Sequence, residues 1–358
     1  MKQKKHLWTA AVFALLLAGG MVLHLVLPDG AVSRAERRKL AQVPAVTEDF
    51  SADLEEYLLD QFPFRDGLRT LKSLWTYYVL GQKDNNGIFI ENGSASKLDA
   101  DLDEKQVDLF VQKFNALRQQ YFPESQVTCM VIPDKNYYLT NGETYPRLDY
   151  EALFSRVEEG LPWAEHVRLT GDLDWPNYYA TDSHWRQEKL QSRVERLDLI
   201  MDLGLPAWDS YEQTVLEGFY GVYYGQAALP MAAEDLVYLQ NDVTRSAVVT
   251  GPELEGEQAV YAPERFGGMD GYDVFLHGAQ AVLTIENPLA ETDRELIVFR
   301  DSFGSALIPL LLPGYKTVTV VDIRYVNSRV LDRFLDFHGQ EVLILYSTTL
   351  INGAAVLQ

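Results

Sequence analysis

Leu296-Ile297-Val298-Phe299-Arg300-Asp301-Ser302-Phe303-Gly304-Ser305-Ala306-Leu307 runs a block of β-favouring apolar residues into a set of small, helix-compatible ones, with a serine at the corner. Four apolar residues in succession suit a strand covered on both faces, as in a parallel sheet. Ser302 then stands at a strand-to-helix turn. There its Oγ is exposed and its own N–H points outward, with the positive end of the helix behind it. A developing oxyanion is stabilised at such a place. The plainer reading is that Ser302 caps the helix.

Outward from this corner the alternation continues. Residues 316–321 and 342–346 read as strands, with a helix predicted over 330–337 between them; upstream, a helix over 103–120 leads into a strand at 127–132. Strands alternating with helices imply parallel pairing through crossovers and cover on both faces, hence an α/β fold with a mostly parallel sheet. Function gathers at the carboxyl ends of such strands. The strands ending near Pro133 and Asp301 are expected to be neighbours, with Lys135 and Ser302 at the same edge. Cys129, the only cysteine, lies in an apolar strand and reads as a small buried hydrophobe.

A partner for Ser302 is offered by Thr181-Asp182-Ser183-His184-Trp185. Residues two apart can face one side of an extended segment. An ionised Asp behind a His fixes its tautomer and stabilises the imidazolium formed when it accepts a proton. Asp-x-His alone is common, and its weight here comes from the serine at a nucleophile-like turn.

The chain has 358 residues with 31 Lys and Arg against 52 Asp and Glu, a net charge of −21 that opposes binding to nucleic acid. Its 47% hydrophobic content is enough for a large core. Residues 7–27 are apolar except Thr9 and His24, long enough to span a bilayer, and Lys2, Lys4 and Lys5 precede them. A single-pass anchor with the remainder outside the cytoplasm is therefore expected. The basic cluster at 34–39 weakens that charge asymmetry. A signal peptide cleaved after Ala31-Val32-Ser33 is the competing reading. Residues 1–28 are read as tail and anchor, 29–100 as linker and helical segment with helices on either side of Pro63, and 101–358 as the α/β domain.

Asp182-Ser183-His184-Trp185 followed by Asp301-Ser302-Phe303 resembles the DHHW family of Gram-positive bacteria, itself similar to the SGNH-hydrolase-like alginate O-acetylation proteins. Tyr57-Leu58-Leu59-Asp60-Gln61-Phe62-Pro63-Phe64-Arg65-Asp66, Ile132-Pro133-Asp134-Lys135 and Met269-Asp270-Gly271-Tyr272-Asp273 agree in order, as does Val321-Asp322-Ile323-Arg324-Tyr325. The resemblance implies an SGNH-hydrolase-like (flavodoxin-like) sheet flanked by helices. It also implies Ser302 as nucleophile, His184 as general base and Asp182 as its orienting partner, with Lys135, Arg324 and Tyr325 near the site. Relatives carry Gly-Gly-Asn where this chain has His277-Gly278-Ala279-Gln280, so the side-chain oxyanion donor is missing and Gly278 N–H or Gln280 is the expected substitute.

The function implied is an extracytoplasmic serine esterase or O-acetyltransferase acting on a cell-envelope glycan or exopolysaccharide, and the resemblance to the alginate O-acetylation proteins further implies a membrane-bound acyltransferase as acyl-donor partner. The alternatives are a catalytically inactive glycan-binding scaffold of this fold and an anchored partner in an export complex. No cofactor is called for. No metal is expected either, since the remaining histidines show no ligand spacing. The Tyr- and Gly-rich 218–225 suits sugar stacking but is read as a loop packed on the core. The acidic run at 99–104 reads as a solvated helix start.

Overall fold

The computed structural model describes residues 2–33, 35–140, 142–171 and 173–358; of residues 2–5, 7 and 16 only the backbone is described. Arg34, in the basic cluster at 34–39, lies outside the described residues, as do the side chains of Lys2, Lys4 and Lys5. Contacts divide the chain into two compact units, residues up to 86 with 224–230, and 87–223 with 231–358.

The described part of the first unit includes the helices α1 (Lys2–Val26), α2 (Phe50–Asp60) and α3 (Arg65–Leu74). Pro63 lies between α2 and α3, as its lack of an N–H and its fixed φ demand. Among the described residues α1 is the one helix long and apolar enough to cross a membrane, through Trp8–Val26. The Asp-Gln-Phe-Pro-Phe-Arg segment ties α2 and α3 to residues 30–41. Asp60 takes a bidentate bond from Arg38 and one from Ala41 N–H at 2.9 Å, and Arg65 binds Glu36 at 2.6 and 3.0 Å. Gln61 exchanges bonds with Gly30 and donates to the Ala41 carbonyl. The Arg38 hydrogen bond holds the Asp60 carboxyl down at about 2.

The second unit is built on an eight-stranded sheet. Its strands are β1 (Val127–Ile132), β2 (Glu165–Arg168), β3 (Val248–Thr250), β4 (Gln258–Ala259), β5 (Val282–Glu286), β6 (Glu295–Arg300), β7 (Thr317–Val321) and β8 (Glu341–Ser347). The spatial order is β4-β3-β5-β7-β6-β8-β1-β2, with β7, β6, β8, β1 and β2 mutually parallel and the other pairings antiparallel. The mostly parallel sheet expected from the alternation is present. One neighbour relation is not: β8 pairs with both β6 and β1, so the strands ending near Pro133 and Asp301 are separated by one strand. Their carboxyl ends still share an edge. Strand order depends on which apolar faces meet, and local sequence carries no record of that.

Both faces of the sheet are covered. Met130, Val298, Leu343 and Leu345 pack on one side with α6 (Gln191–Met201) and α7 (Gly304–Leu311), in a layer containing Leu197 and Leu307. Cys129, Phe299, Val342 and Ile344 pack on the other with α4 (Glu104–Tyr121) and α5 (Tyr150–Gly160), beside Phe110, Phe114 and Phe154. Alternate residues of one strand thus enter opposite layers, which is why these strands read as continuous apolar runs. Full burial of one such side chain contributes about 1.5–3 kcal/mol. Asp103 opens α4 by accepting from Lys105 and Gln106 N–H, giving the acidic run its place as a helix start. The helix expected over 330–337 is absent; Ser328–Arg333 forms short 3-10 turns, because Val330 sits at φ −126°, outside helical geometry.

Candidate active site

Ser302 follows β6 directly and precedes α7. It does not cap that helix. Asp301 does the turn's structural work: its carboxylate accepts from Phe303 N–H at 3.0 Å and from Ser347 N–H, at the end of β8, at 2.8 Å. Gly304 and Ser305 N–H donate to the Asp301 and Ser302 carbonyls. Within this turn the Ser302 N–H has no partner among the described residues. The hydroxyl is left free to point away from the helix, and it meets His184.

His184 Nε2 lies 2.7 Å from Ser302 Oγ, and His184 Nδ1 lies 2.5 Å from Asp182 Oδ1. A carboxylate can only accept, so the Nδ1 proton faces Asp182 and Nε2 is left to accept the serine proton. Asp182 is fully buried and His184 nearly so. Oδ1 of Asp182 also accepts His184 N–H at 3.0 Å, and Oδ2 accepts Val222 N–H at 2.8 Å, so the carboxylate is oriented at both oxygens. The ring of Tyr272 stacks on the imidazole, centroids 4.0 Å apart and planes 9° from parallel. A π face stacked against the ring fixes its plane.

The segment carrying Asp182 and His184 has no regular secondary structure, and polar clamps hold it. Glu234 accepts from Ala180 N–H, Thr181 N–H and the Thr181 hydroxyl at 2.7–2.8 Å, and pairs with Arg186. Trp185 donates its indole N–H to the Phe303 carbonyl at 3.0 Å, and Gln187 donates to the Ala306 carbonyl at 2.6 Å. These two bonds register the histidine segment on the serine turn. Gly221 abuts Asp182 so closely that a Cβ there would overlap its side chain and backbone. Gly221 and Val222, where a strand that ends at Phe219 gives way to a helix that starts at Val222, therefore back Asp182. Their tight fit at Asp182 was not legible in the Tyr-Gly composition of 218–225.

Of the other expected site residues, Lys135 is placed differently from the reading above. It lies just beyond β1, but it is fully buried, and its Nζ donates to the Tyr179 carbonyl at 2.8 Å, Ser94 Oγ at 3.3 Å and the Ala180 carbonyl at 3.4 Å. Its ammonium also faces the Tyr223 ring. Every donor is spent on the chain, so Lys135 supports the histidine segment from beneath. Burial pulls its pKa down to about 7, against the opposing charges of Asp182, Glu234 and Asp134.

The expected oxyanion substitutes are likewise occupied. Gly278, at φ +80°, donates its N–H to the Phe275 carbonyl at 3.1 Å, and Gln280 Nε2 donates to the His277 carbonyl at 3.3 Å. The Gly278 carbonyl accepts from Arg300, a fully buried guanidinium at the end of β6 that stands 3.6 Å from Asp322. Arg324 is committed to Asp322 at 2.9 and 2.6 Å and overlies the exposed Tyr325 ring. Sequence reading missed Glu234, Tyr272 and Arg300; Tyr272 and Arg300 stood in segments already singled out, while Glu234 carried no distinguishing spacing. Among the described residues no group of His, Cys, Asp and Glu is placed to hold a metal ion.

The same arrangement of sheet and helices recurs in a DHHW family protein from Eubacterium siraeum: 18% identity, TM-score 0.63, over 76% of this chain and 94% of that one. The chain has the fold of a DHHW family protein. That fold is shared by Bacillus cereus PatB1, at 15% identity and TM-score 0.58 over 74% of this chain and 96% of that one, and PatB1 is also known with a sulfonyl adduct. The O-acetyltransferase domain of Pseudomonas putida AlgJ is more distant, at 11% identity and TM-score 0.42 over 74% of this chain and 92% of that one. No protein-family model and no curated protein matches the sequence.

Proposed function

We propose that the chain is a membrane-anchored serine O-acyltransferase or esterase that forms an acyl-enzyme on Ser302 and passes the group to a glycan hydroxyl or to water. The observation that carries this reading is the unbroken relay Ser302–His184–Asp182 at 2.7 and 2.5 Å. In the first step His184 Nε2 takes the Ser302 proton as Oγ bonds to the acyl carbon; the bond from that carbon to the donor then breaks, and the proton leaves with the donor. In the second, His184 takes a proton from the acceptor hydroxyl as its oxygen bonds to the acyl carbon; the acyl–Oγ bond then breaks and His184 returns the proton to Ser302 Oγ. Ser302 N–H is the donor available to the oxyanion. With Ala279 at the Asn position and both Gly278 N–H and Gln280 Nε2 spent, the expected second donors are lost among the described residues, and loss of one such donor typically costs about 2.7–4 kcal/mol of transition-state stabilisation. A slow enzyme follows.

Residues 1–28 as the anchor would place residues 101–358 outside the cytoplasm, where envelope glycans and a membrane-bound acyl donor are accessible. The test is the full chain in detergent with a chromogenic acetyl ester, beside Ser302→Ala, followed by a sulfonyl fluoride and peptide mass analysis. Ester turnover that vanishes in the variant, with sulfonylation at Ser302, is expected. Equal rates in both proteins and no adduct would favour the glycan-binding scaffold.

A further inference from the structure

The polar side chains of the Asp60–Arg65 segment are absorbed within the first unit, but its two phenylalanines are not. Phe64 is 72% exposed although its backbone stands at φ +59°, a left-handed conformation unfavourable for a bulky residue. Phe62, Leu68, Leu71, Trp75 and Tyr78 are exposed as well. The spacing Phe64, Leu68, Leu71, Trp75, Tyr78 repeats every three or four residues, so they form one stripe along α3 and the π-helical turn Trp75–Val79 that continues it. No described residue covers the stripe.

Where this surface lies is fixed by α1. His24 bonds the Gln61 carbonyl through Nδ1 at 3.1 Å and stands edge-on to Tyr57 at 5.3 Å. Phe62 lies over Gly20, its ring 3.8 Å from where a Cβ would be. Gly20 is six residues inside Val26, or about 9 Å along the helix axis at 1.5 Å per residue. A Phe at that level beside a spanning helix is below the headgroups. The stripe has the Leu–Trp–Tyr composition of interfacial helices. Arg65 and Arg69, away from the stripe, are spent on Glu36 within the unit, so the apolar stripe itself is the surface left to meet lipid.

We propose that the α2–α3 layer lies in the outer leaflet of the membrane that α1 crosses, with Phe62, Phe64 and the stripe from Leu68 to Tyr78 immersed in lipid. The inference rests on reading α1 as an anchor. It holds the tether against the bilayer and leaves 87–100 as the first residues free of it.

Spin labels on single introduced cysteines in the full chain test it, since Cys129 is buried. The sites are Leu71→Cys (stripe), Asp66→Cys (opposite face), Leu15→Cys (α1) and Leu199→Cys (exposed, second unit), in phosphatidylglycerol/phosphatidylethanolamine vesicles. Collisions with molecular oxygen and with a water-soluble nickel chelate are compared. At Leu71 and Leu15 the oxygen-to-nickel ratio should exceed that at Asp66 and Leu199 several-fold. Leu71 as nickel-accessible as Leu199 while Leu15 is shielded overturns the inference and leaves the anchor standing. Both sites in water removes the anchor and the inference together. Shielding of Leu71 in native membranes that is lost in pure lipid means that a protein covers the face, and overturns lipid as its occupant.

Discussion

The two arms that meet at His184 Nε2 are held in different ways. Ser302 sits between β6 and α7, so ladder bonds, helix bonds and a buried apolar run place it, with Asp301 tying the turn to β8. Asp182 and His184 sit in a loop that the Glu234 carboxylate, Val222 N–H, the Lys135 ammonium and the Trp185 indole hold from four directions. The serine arm is fixed mainly by hydrophobic burial and backbone bonds, with the Asp301 carboxylate as a polar tie. The histidine arm is fixed by buried polar groups, each costly if left unpaired and some of them titratable. The first should tolerate conservative change; the second should fail wherever one clamp is removed.

The largest effects come from breaking the junction itself. Ser302→Ala and His184→Ala should each lower kcat on the order of 10⁶-fold or to the assay floor, and the double variant should lose little more, because the residues act as a unit. Additive losses in ester turnover would mean that the 2.7 Å contact is not used in catalysis.

Asp182→Asn should leave about one part in 10⁴ of the activity, since an amide cannot hold the Nδ1 proton or stabilise the imidazolium. Its fold should survive by circular dichroism. Retention of most activity would show that the Tyr272 stack orients His184 without an ionised partner at Nδ1.

Gly221→Ala probes the histidine arm without touching a triad residue. A Cβ there displaces Asp182, and a shift of about 1 Å can cost roughly 10²-fold in rate. The comparison predicts a loss in kcat with KM nearly unchanged. Gly304→Ala on the serine arm meets the Cβ of buried Arg300 at 2.8 Å and the packed Leu345 side chain at 3.2 Å, neither of them a triad residue, so its loss should appear first in melting temperature.

The smallest expected effect is a slope. Lys135 is held at about 7 in the folded chain against an ordinary value near 10.5, chiefly by burial. Between those values the unfolded chain binds a proton that the folded chain has released, so stability rises with pH through that window and is lowest below about 7. The wild-type melting temperature should climb from pH 7 toward 10, and Lys135→Met should flatten the climb. An equal slope in both would assign the titration elsewhere.

The serine arm was the more legible of the two because its evidence is local: an apolar run, a corner and small residues, all within twelve positions. Asp182 and His184 were legible as a pair for the same reason. What holds them was not, since Val222 lies 40 residues from Asp182 and Glu234 lies 53 from Thr181. Lys135 was misjudged on position alone: the carboxyl end of a strand suggests access to substrate, but burial and three backbone or hydroxyl acceptors turn it into a support. Gly278 was misjudged because a donor's availability depends on the loop's own hydrogen bonds, here to Phe275.

The sequence by itself determined the alternation of strands and helices, an apolar segment of membrane-spanning length, and the residue types at the three reacting positions. Periodicity and local chemistry carry all of these. Tertiary structure alone decided that β8 lies between β1 and β6, that Asp301 rather than Ser302 ties down the turn, and that Glu234, Gly221 and Lys135 fix the histidine segment. Those choices follow from which buried donors and acceptors can be satisfied together, and that is a property of the whole packed domain.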